Sequence, residues 1–279
     1  MLDRLGLGEP IDHDPRPIMN ATAIPSALAQ PISSALVLLV AADFDGTLSP
    51  LAEHHSRAEP TPGALAALDR LSEIPNTHVA IVSGRGLEDV RSRLGRHDRW
   101  DLFGSHGAEV HGDASQPIPS DLHDRLRELD SRLEALCDRF AGLTVESKPR
   151  GIAVHYRALT PGEGAVAEEA VLRLAKEFPE LGLQAGAKVI EFLADRVTKA
   201  DALCSLRTKY GASVVVFIGD DLTDEHAFRS LRPCDFGIKV GQGDTAARFR
   251  LLSVDDVVRF LSALADFREA WSRNREGHQ

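Results

Sequence analysis

The sequence has few cysteines, no excess of positive charge and no long apolar run, and each absence excludes a class of protein. Its 32 lysines and arginines are outnumbered by 42 aspartates and glutamates, which gives a formal net charge of −10. The chain thus lacks the basic surface that is typical of nucleic-acid-binding proteins. No apolar stretch reaches the ~18 residues that a membrane-spanning helix needs. We therefore expect neither a nucleic acid nor a membrane as a partner.

The three cysteines, Cys137, Cys204 and Cys234, lie far apart and form no Cys-x-x-Cys pair. Three thiols cannot all pair, and their spacing suits no metal site, so a reducing compartment is expected. The apolar residues 35–42 are not expected to be the core of a signal peptide, because they lie too far from Met1 and no basic leader precedes them. These features predict a cytoplasmic protein. The oligomeric state is not determined by the sequence, and a monomer is the default expectation.

Four short apolar runs alternate with amphipathic segments in the first and last parts of the 279-residue chain. The runs cover residues 35–42, 78–84, 101–105 and 213–220. They are nearly continuous, as expected of parallel strands that are covered by helices on both faces. This order of elements predicts an α/β fold with a doubly wound, mostly parallel sheet.

The pattern changes in the middle of the chain. A long amphipathic segment at 120–140 is followed by two alternating strands, a helix and two more strands, which predicts an inserted α+β unit. We expect a core at 34–111 and 194–268, an inserted cap at 112–193, and an irregular, proline-rich N-terminal extension at 1–33.

Acidic and hydroxyl side chains follow three of the apolar runs. Asp43 and Asp45 come after the first run, Ser83 after the second, and Asp220 and Asp221 after the last. Ligands of open parallel sheets bind at the carboxyl ends of the strands, so these side chains should converge on one crevice. Clustered carboxylates repel each other unless a cation neutralises them, and hard oxygen ligands favour Mg²⁺.

Four stretches resemble, in order, the motifs of the haloacid dehalogenase superfamily of phosphotransferases. They are DFDGTLSP (43–50), IVSGR (81–85), a lysine near the end of the insertion, and GDDLTDE (219–225). The resemblance covers nearly all of the chain from about residue 35. It implies a core with an inserted cap, and Mg²⁺-dependent transfer of a phosphoryl group through a covalent intermediate.

The resemblance also implies a role for each motif residue. Asp43 would attack phosphorus and form an aspartyl phosphate, and Asp45 would protonate the leaving oxygen and then activate water. Lys199 would balance the charge of the nucleophile and the phosphate. Thr47 and Ser83 would donate hydrogen bonds to phosphoryl oxygens.

A Mg²⁺ site is implied by the same motifs. Its ligands would be Asp43, the backbone carbonyl of Asp45, and Asp220. Asp224 would support the metal from behind, and Asp221 is a second candidate for that supporting position.

Each of these residues also has a purely structural interpretation. The acids at the end of the first run could cap a turn, and Ser83 could cap a helix. Lys199 could be an ordinary solvated lysine, and the acids of 219–225 could stabilise a helix N-terminus. The segment KVGQGDTAA (239–247) could cradle a phosphate or form a plain surface turn, and it is left outside the predicted site.

Further stretches are similar to the trehalose-6-phosphate phosphatases within this superfamily. They are FGSHGAE (103–109), ESK (146–148), HYR (155–157) and VIE (189–191). In that family a glutamate–lysine pair and a second glutamate of the cap bind the distal glucose, which implies this role for Glu146, Lys148 and Glu191. Arg85 and His106 would meet the near sugar or the phosphate.

Strand alternation alone would instead put Glu146 and Lys148 on a solvated face. His155 is expected to shape the cap rather than bind a metal, and His54 and His55 are expected in a surface loop. Two features depart from the family pattern: Ala200 follows the motif lysine where a glycine is common, and FLA (192–194) stands where an arginine–proline pair is common. Both bear on the hinge between cap and core more than on the phosphatase chemistry.

The resemblance thus implies a phosphatase that hydrolyses trehalose 6-phosphate, a small-molecule sugar phosphate, to trehalose and phosphate. A phosphatase for another ester, such as sucrose 6-phosphate or mannosylglycerate phosphate, is an open alternative. So are a sugar-phosphate-binding regulator without turnover and a phosphomutase.

Overall fold

The computed structural model describes residues 26–51, 58–95, 97–112, 118–186 and 188–276. The helices are α1 (Ser26–Ser33), α2 (Pro62–Glu73), α3 (Leu87–Leu94), α4 (Ser120–Cys137), α5 (Pro161–Ala175), α6 (Lys199–Tyr210), α7 (Leu222–Ser230) and α8 (Val254–Glu276). The strands are β1 (Leu38–Ala42), β2 (Thr77–Val82), β3 (Trp100–Gly104), β4 (Glu109–Val110), β5 (Thr144–Lys148), β6 (Gly151–His155), β7 (Gly182–Gly186), β8 (Val189–Leu193), β9 (Val214–Gly219), β10 (Phe236–Val240) and β11 (Phe249–Leu251). His54 and His55 lie outside the described residues.

A seven-stranded sheet forms the core, with the strand order β11-β10-β9-β1-β2-β3-β4. Its pairs are parallel except for β4, which runs antiparallel to β3. Leu38, Val40 and Ala42 of the central strand pack on the side of α2 and α8, whereas Leu39 and Ala41 pack on the side of α6 and α7. Burial on both faces explains why this strand is a continuous apolar run. The predicted doubly wound α/β fold is confirmed.

The N-terminal extension differs from the expectation over its described part. Residues 26–33 form the helix α1, so the prediction of an irregular structure is wrong there. Ala29 and Ile32, three residues apart, are buried in the core together with residues of α8. Their packing outweighs the cost of Pro31 inside the helix. Residues 1–25 of the predicted extension lie outside the described residues.

A second, four-stranded antiparallel sheet has the order β5-β6-β8-β7 and belongs to a unit that we call the cap (residues 118–193). Ile152, Val154, Ile190 and Phe192 of this sheet pack in one apolar cluster with α4 and α5. The residues that alternate with them, among them His155, Val189 and Glu191, face the opposite side of the sheet.

Two contacts between the cap and the core lie at the end of β5 and in the turn that follows it. Lys148 Nζ donates to the carbonyl of Gly84 over 3.0 Å, and the buried Arg150 forms an ion pair with Asp195, with an Nε–Oδ2 distance of 2.5 Å. Asp195 follows β8, where the chain returns to the core. An arginine of the neighbouring turn therefore reaches the connection from β8 to the core, although the arginine–proline pair expected at 192–194 is absent.

None of the described helices contains a stretch that is both long and apolar enough to cross a membrane.

Arg268 connects α8 to the chain segments that lead into β1 and β2. Its buried guanidinium donates to the carbonyls of Ser33, Ala35 and Asn76 and to the hydroxyl of Thr77. Burial lowers the pKa of Arg268 to about 10, so the side chain is still charged at neutral pH.

We expect Arg268→Met to lower the free energy of unfolding by about 2–4 kcal/mol, because buried carbonyls lose their donor. Urea denaturation followed by circular dichroism measures this change. Arg273→Met is the matched control, since Arg273 is an exposed arginine of the same helix. Equal stability of the two variants would contradict this account of Arg268.

Candidate active site

A cavity of about 470 Å³ lies between the carboxyl ends of the core strands and the face of the cap sheet that carries Glu191. Its core side is lined by Asp43, Asp45, Arg85, His106, Lys199 and Asp220, and its cap side by Glu146, Lys148, His155, Gln184 and Glu191. The cavity thus brings together most of the residues that the sequence predicts. Thr47, Ser83 and Asp224 lie behind its wall and are buried.

Lys199 lies between two carboxylates at the bottom of the cavity. Its ammonium is 2.9 Å from Asp43 Oδ1 and 2.7 Å from Asp224 Oδ1, and the residue is only 2% exposed. Thr198 caps α6 through a reciprocal pair of hydrogen bonds with Asp201. This capping box fixes the first residue of the helix, which is Lys199, at the carboxyl end of the sheet.

Asp224 fixes the turn that carries Asp220. Its Oδ2 accepts hydrogen bonds from the backbone N–H groups of Asp220 and Asp221, at 2.9 and 3.0 Å. Both carboxylate oxygens of Asp224 are therefore engaged, one by the lysine and one by the backbone. Asp221 caps α7 by accepting from the N–H of Leu222, and its side chain lines the cavity.

Asp220 lies directly beside the first motif. A Cβ atom at Gly46, which has a positive φ of 70°, would lie 2.0 Å from Asp220 Oδ2, so only glycine fits there. The hydroxyl of Thr47 is 3.4 Å from the other oxygen, Oδ1. Close approach of the first and last motifs thus depends on the glycine of DFDGT.

Carboxylate oxygens of Asp43, Asp220 and Asp224 lie within 4.8 Å of one another. Burial, opposed by Lys199 and reinforced by neighbouring acids, raises the pKa of Asp43 to about 7. Burial and repulsion from Asp43 and Asp224 also raise the pKa of Asp220 well above its usual value. One lysine therefore does not neutralise this cluster, and its oxygen ligands fit a divalent cation such as Mg²⁺.

Asp45 is held by Arg85. The guanidinium contacts both carboxylate oxygens, with Nε–Oδ2 at 2.6 Å and Nη2–Oδ1 at 2.7 Å, and it also binds Asp89. Ser83 accepts a hydrogen bond from the backbone N–H of Arg85 over 3.2 Å. In this arrangement Arg85 is a partner of the predicted acid–base residue, and Ser83 orders the chain that carries it.

His106 joins the core to the cap. Its Nε2 donates to Glu191 Oε2 over 2.5 Å, and Glu191 Oε1 is 2.5 Å from the ammonium of Lys148. Burial alone would raise the pKa of Glu191, but the Lys148 ammonium and the His106 ring bring it far below its usual range. Three residues predicted to contact the ligand thus form one charged network across the two sheets.

The strand register explains how the cap residues meet. Glu146, Ala153, Glu191 and Gln184 are successive partners across β5, β6, β8 and β7. Residues on one such row point to the same face, which here is the cavity. Glu146 Oε2 is 2.9 Å from the Nε2 of His155, so His155 orients this glutamate.

Gln184 and Lys239 are among the residues near the site that the sequence did not predict. Gln184 lines the cavity and lies 3.4 Å from His106 Nδ1, but nothing in LGLQAG (181–186) distinguishes it from a solvated strand residue. Lys239 is buried against the backbone of Asp220. Its only signal was its position in the segment 239–247, which the prediction left out of the site.

Known proteins that are similar to this chain belong to the family that the motifs resemble. A family model described as Trehalose-phosphatase matches residues 41–255. The trehalose-phosphate phosphatase of Mycobacterium avium is 38% identical over 163 residues, which are 55% of this chain. The chain spans only 39% of the length of that relative.

Two solved structures of trehalose-6-phosphate phosphatases are similar to this chain. The C-terminal domain of the C. albicans protein gives a TM-score of 0.79 at 22% identity and covers 91% of this chain and 99% of that chain. The Aspergillus fumigatus protein gives a TM-score of 0.64 at 26% identity, with coverages of 90% and 98%. The first similarity bears on the fold alone.

The raised pKa of Asp43 predicts how the metal-free protein responds to pH. Unfolding lowers that pKa to its ordinary value near 4, so the unfolded chain ionises first and the folded state loses stability as pH rises from about 4 to about 7. Asp43→Asn removes this titration. The variant should therefore gain stability relative to the native protein over that range.

Thermal melting in the presence of a chelator, at several pH values, measures the difference. Glu88→Gln is the control, because Glu88 is an exposed carboxylate outside the cavity. A difference between Asp43→Asn and the native protein that does not change with pH would contradict this prediction.

Proposed function

Because the chain belongs to the trehalose-phosphatase family, we propose that it hydrolyses trehalose 6-phosphate to trehalose and inorganic phosphate with Mg²⁺. One observation carries the proposal. The cluster of Asp43, Lys199 and Asp220 forms one end of a cavity, and the opposite wall carries the charged cap residues Glu146, Lys148 and Glu191. The first end suits a phosphoryl group and the second suits a sugar that offers only hydroxyls.

The first chemical step uses Asp43 as the nucleophile. One of its carboxylate oxygens attacks phosphorus in line, the bond from phosphorus to the sugar oxygen breaks, and Asp45 gives its proton to that oxygen. Asp45 can do so only after one of its oxygens leaves Arg85, which holds both in this structure, and takes up a proton from water.

The second step returns Asp43 to its starting state. Asp45 now takes a proton from water, the resulting oxygen attacks phosphorus, and the bond to Asp43 breaks with release of phosphate. Lys199 stays beside Asp43 throughout and offsets the negative charge of the carboxylate and the phosphoryl group. Burial alone would lower the pKa of this lysine, but the neighbouring carboxylates of Asp224 and Asp43 raise it above its ordinary value and keep the ammonium protonated.

Asp43, Asp220 and the backbone carbonyl of Asp45 are the proposed Mg²⁺ ligands. Asp224 supports them from behind, since its oxygens are taken by Lys199 and by the turn at 220–221. A bound Mg²⁺ would supply positive charge to the phosphoryl oxygens. Thr47 and Ser83 remain proposed donors to those oxygens at the buried end of the site.

In this proposal the cap selects the substrate, and its bounds are those predicted from the sequence, 112–193, of which the structure describes residue 112 and residues 118–193 except 187. The core would be 34–111 and 194–268. Glu146, Lys148 and Glu191 would bind the distal glucose, and His106 would meet the near sugar. The cavity volume of about 470 Å³ falls in the range of roughly 300–1,000 Å³ that is typical of small-molecule sites. A regulator without turnover would gain little from crowding acids beside an anionic ligand.

A cytoplasmic monomer completes the proposal. Cys137, Cys204 and Cys234 are all free thiols, which supports a reducing compartment.

A panel of phosphate esters tests the substrate. We expect trehalose 6-phosphate to have the highest kcat/KM, ahead of sucrose 6-phosphate, mannosylglycerate phosphate and glucose 6-phosphate. Glucose 6-phosphate should react at least about tenfold less efficiently, because the cap residues would then face no distal sugar and remain unpaired with ligand. Release of phosphate measured by a colorimetric assay gives these values.

Glu191→Gln should narrow this preference, whereas Glu169→Gln, an exposed glutamate of the cap, should leave it unchanged. A clear preference for another ester would overturn the assignment of the cap but not the core chemistry. Movement of phosphate within the sugar, without release to water, would instead identify a phosphomutase.

Asp43→Asn tests the nucleophile. Hydrolysis should fall by more than roughly 10³-fold, because an amide oxygen cannot replace the carboxylate in the attack on phosphorus. Removal of Mg²⁺ by a chelator should also abolish turnover of the native protein. Asp266→Asn, which changes an exposed aspartate of α8, is the matched control and should retain full activity. Undiminished hydrolysis by Asp43→Asn would exclude the proposed mechanism.

A further inference from the structure

We propose that Lys239 is a positioning residue, which holds the backbone of Asp220 so that its carboxylate faces Asp43 and the metal. The inference rests on the Mg²⁺ site of the proposed function. It also gives a role to the segment 239–247, which the sequence left as either a phosphate-binding loop or a surface turn.

Lys239 reaches the site from the strand beside it. In the parallel pair of β10 and β9, Lys239 is the partner of Gly219, the last residue of β9. The lysine side chain extends one residue further and donates from Nζ to the backbone carbonyl of Asp220. This places a charged donor directly behind the turn that follows β9.

The ammonium of Lys239 forms no ion pair with any of the described residues, and the residue is only 6% exposed. Burying a charged group is costly unless it is hydrogen-bonded. The hydrogen bond to the carbonyl of Asp220 is therefore the contact that stabilises this buried charge. A charge-assisted hydrogen bond is about twice as strong as a neutral one.

The turn is consequently held from both sides. Asp224 Oδ2 accepts from the N–H groups of Asp220 and Asp221, and Lys239 binds the carbonyl of Asp220. A Cβ atom at Gly219 would lie 2.3 Å from Asp224 Cγ, so the carboxylate packs tightly against the chain. Because the backbone N–H and the backbone carbonyl of Asp220 are both held, the direction in which its side chain leaves the backbone is fixed as well.

A second contact joins the same segment to α7. The backbone N–H of Ala246 donates to Glu225 Oε2 over 2.7 Å, and Glu225 is buried. The segment 239–247 is thus tied to both ends of the motif GDDLTDE, whereas Lys239 does not line the cavity. This arrangement fits a support for the metal-binding turn and not a cradle for phosphate.

The test is Mn²⁺ binding by electron paramagnetic resonance, with metal-free full-length protein and no substrate. Lys239→Met should bind Mn²⁺ about tenfold more weakly than the native protein, since outer partners of metal ligands commonly have effects of that size. The KM of this variant for the sugar phosphate should equal that of the native protein. A higher Mg²⁺ concentration should restore most of the kcat that the variant loses. Lys209→Met, an exposed lysine paired with Asp101, is the matched control.

Lys239→Arg keeps a charged donor and should bind Mn²⁺ more tightly than Lys239→Met. If Lys239→Met does not fold, Lys239→Gln replaces it in the same comparison with Lys239→Arg. Native affinity in the folded neutral variant, or loss of kcat that Mg²⁺ does not restore, would overturn the role of Lys239. Absence of Mn²⁺ binding in the native protein would instead refute the metal site of the proposed function.

Discussion

The almost completely buried ammonium of Lys199 lies between the carboxylates of Asp43 and Asp224, and the geometry of the site is organised around this contact. Without a cation at that point, burial of the two acids would be prohibitively costly. The second oxygen of Asp224 accepts a hydrogen bond from the backbone N–H of Asp220, so Asp224 also fixes the turn at Asp220. The helix cap at Thr198 fixes the lysine itself, so local helix geometry and site electrostatics meet in one residue.

One face of the cap sheet packs against the helices of the cap, and the other faces the cavity. Ile190 and Phe192 pack against the helices of the cap, while Val189 and Glu191 face the cavity. The charged network of Lys148, Glu191 and His106 then joins this face to the core. The same strands therefore build the apolar core of the cap and the polar wall of the site.

The sequence predicted the central sheet because strands buried on both faces have a continuous apolar pattern, and it predicted the acids at their ends because open sheets bind ligands there. Motif resemblance supplied the roles of single residues, which remain proposals. Helix α1 was missed because composition near Pro31 concealed the packing of Ala29 and Ile32. Gln184 and Lys239 were missed for another reason: each acquires its position from a neighbouring strand, and pairing across strands is not written in a local pattern.

The row of Glu146, Ala153, Glu191 and Gln184 limits how the cap strands can change in length. Inserting or deleting one residue within β8 would turn Glu191 toward α4 and α5 and expose an isoleucine or phenylalanine to the cavity. Such an event would bury an acid and remove a polar wall at once. Variation by length should accordingly concentrate in the turns between the cap strands, whereas within the strands the chain can vary only by replacement of one side chain by another.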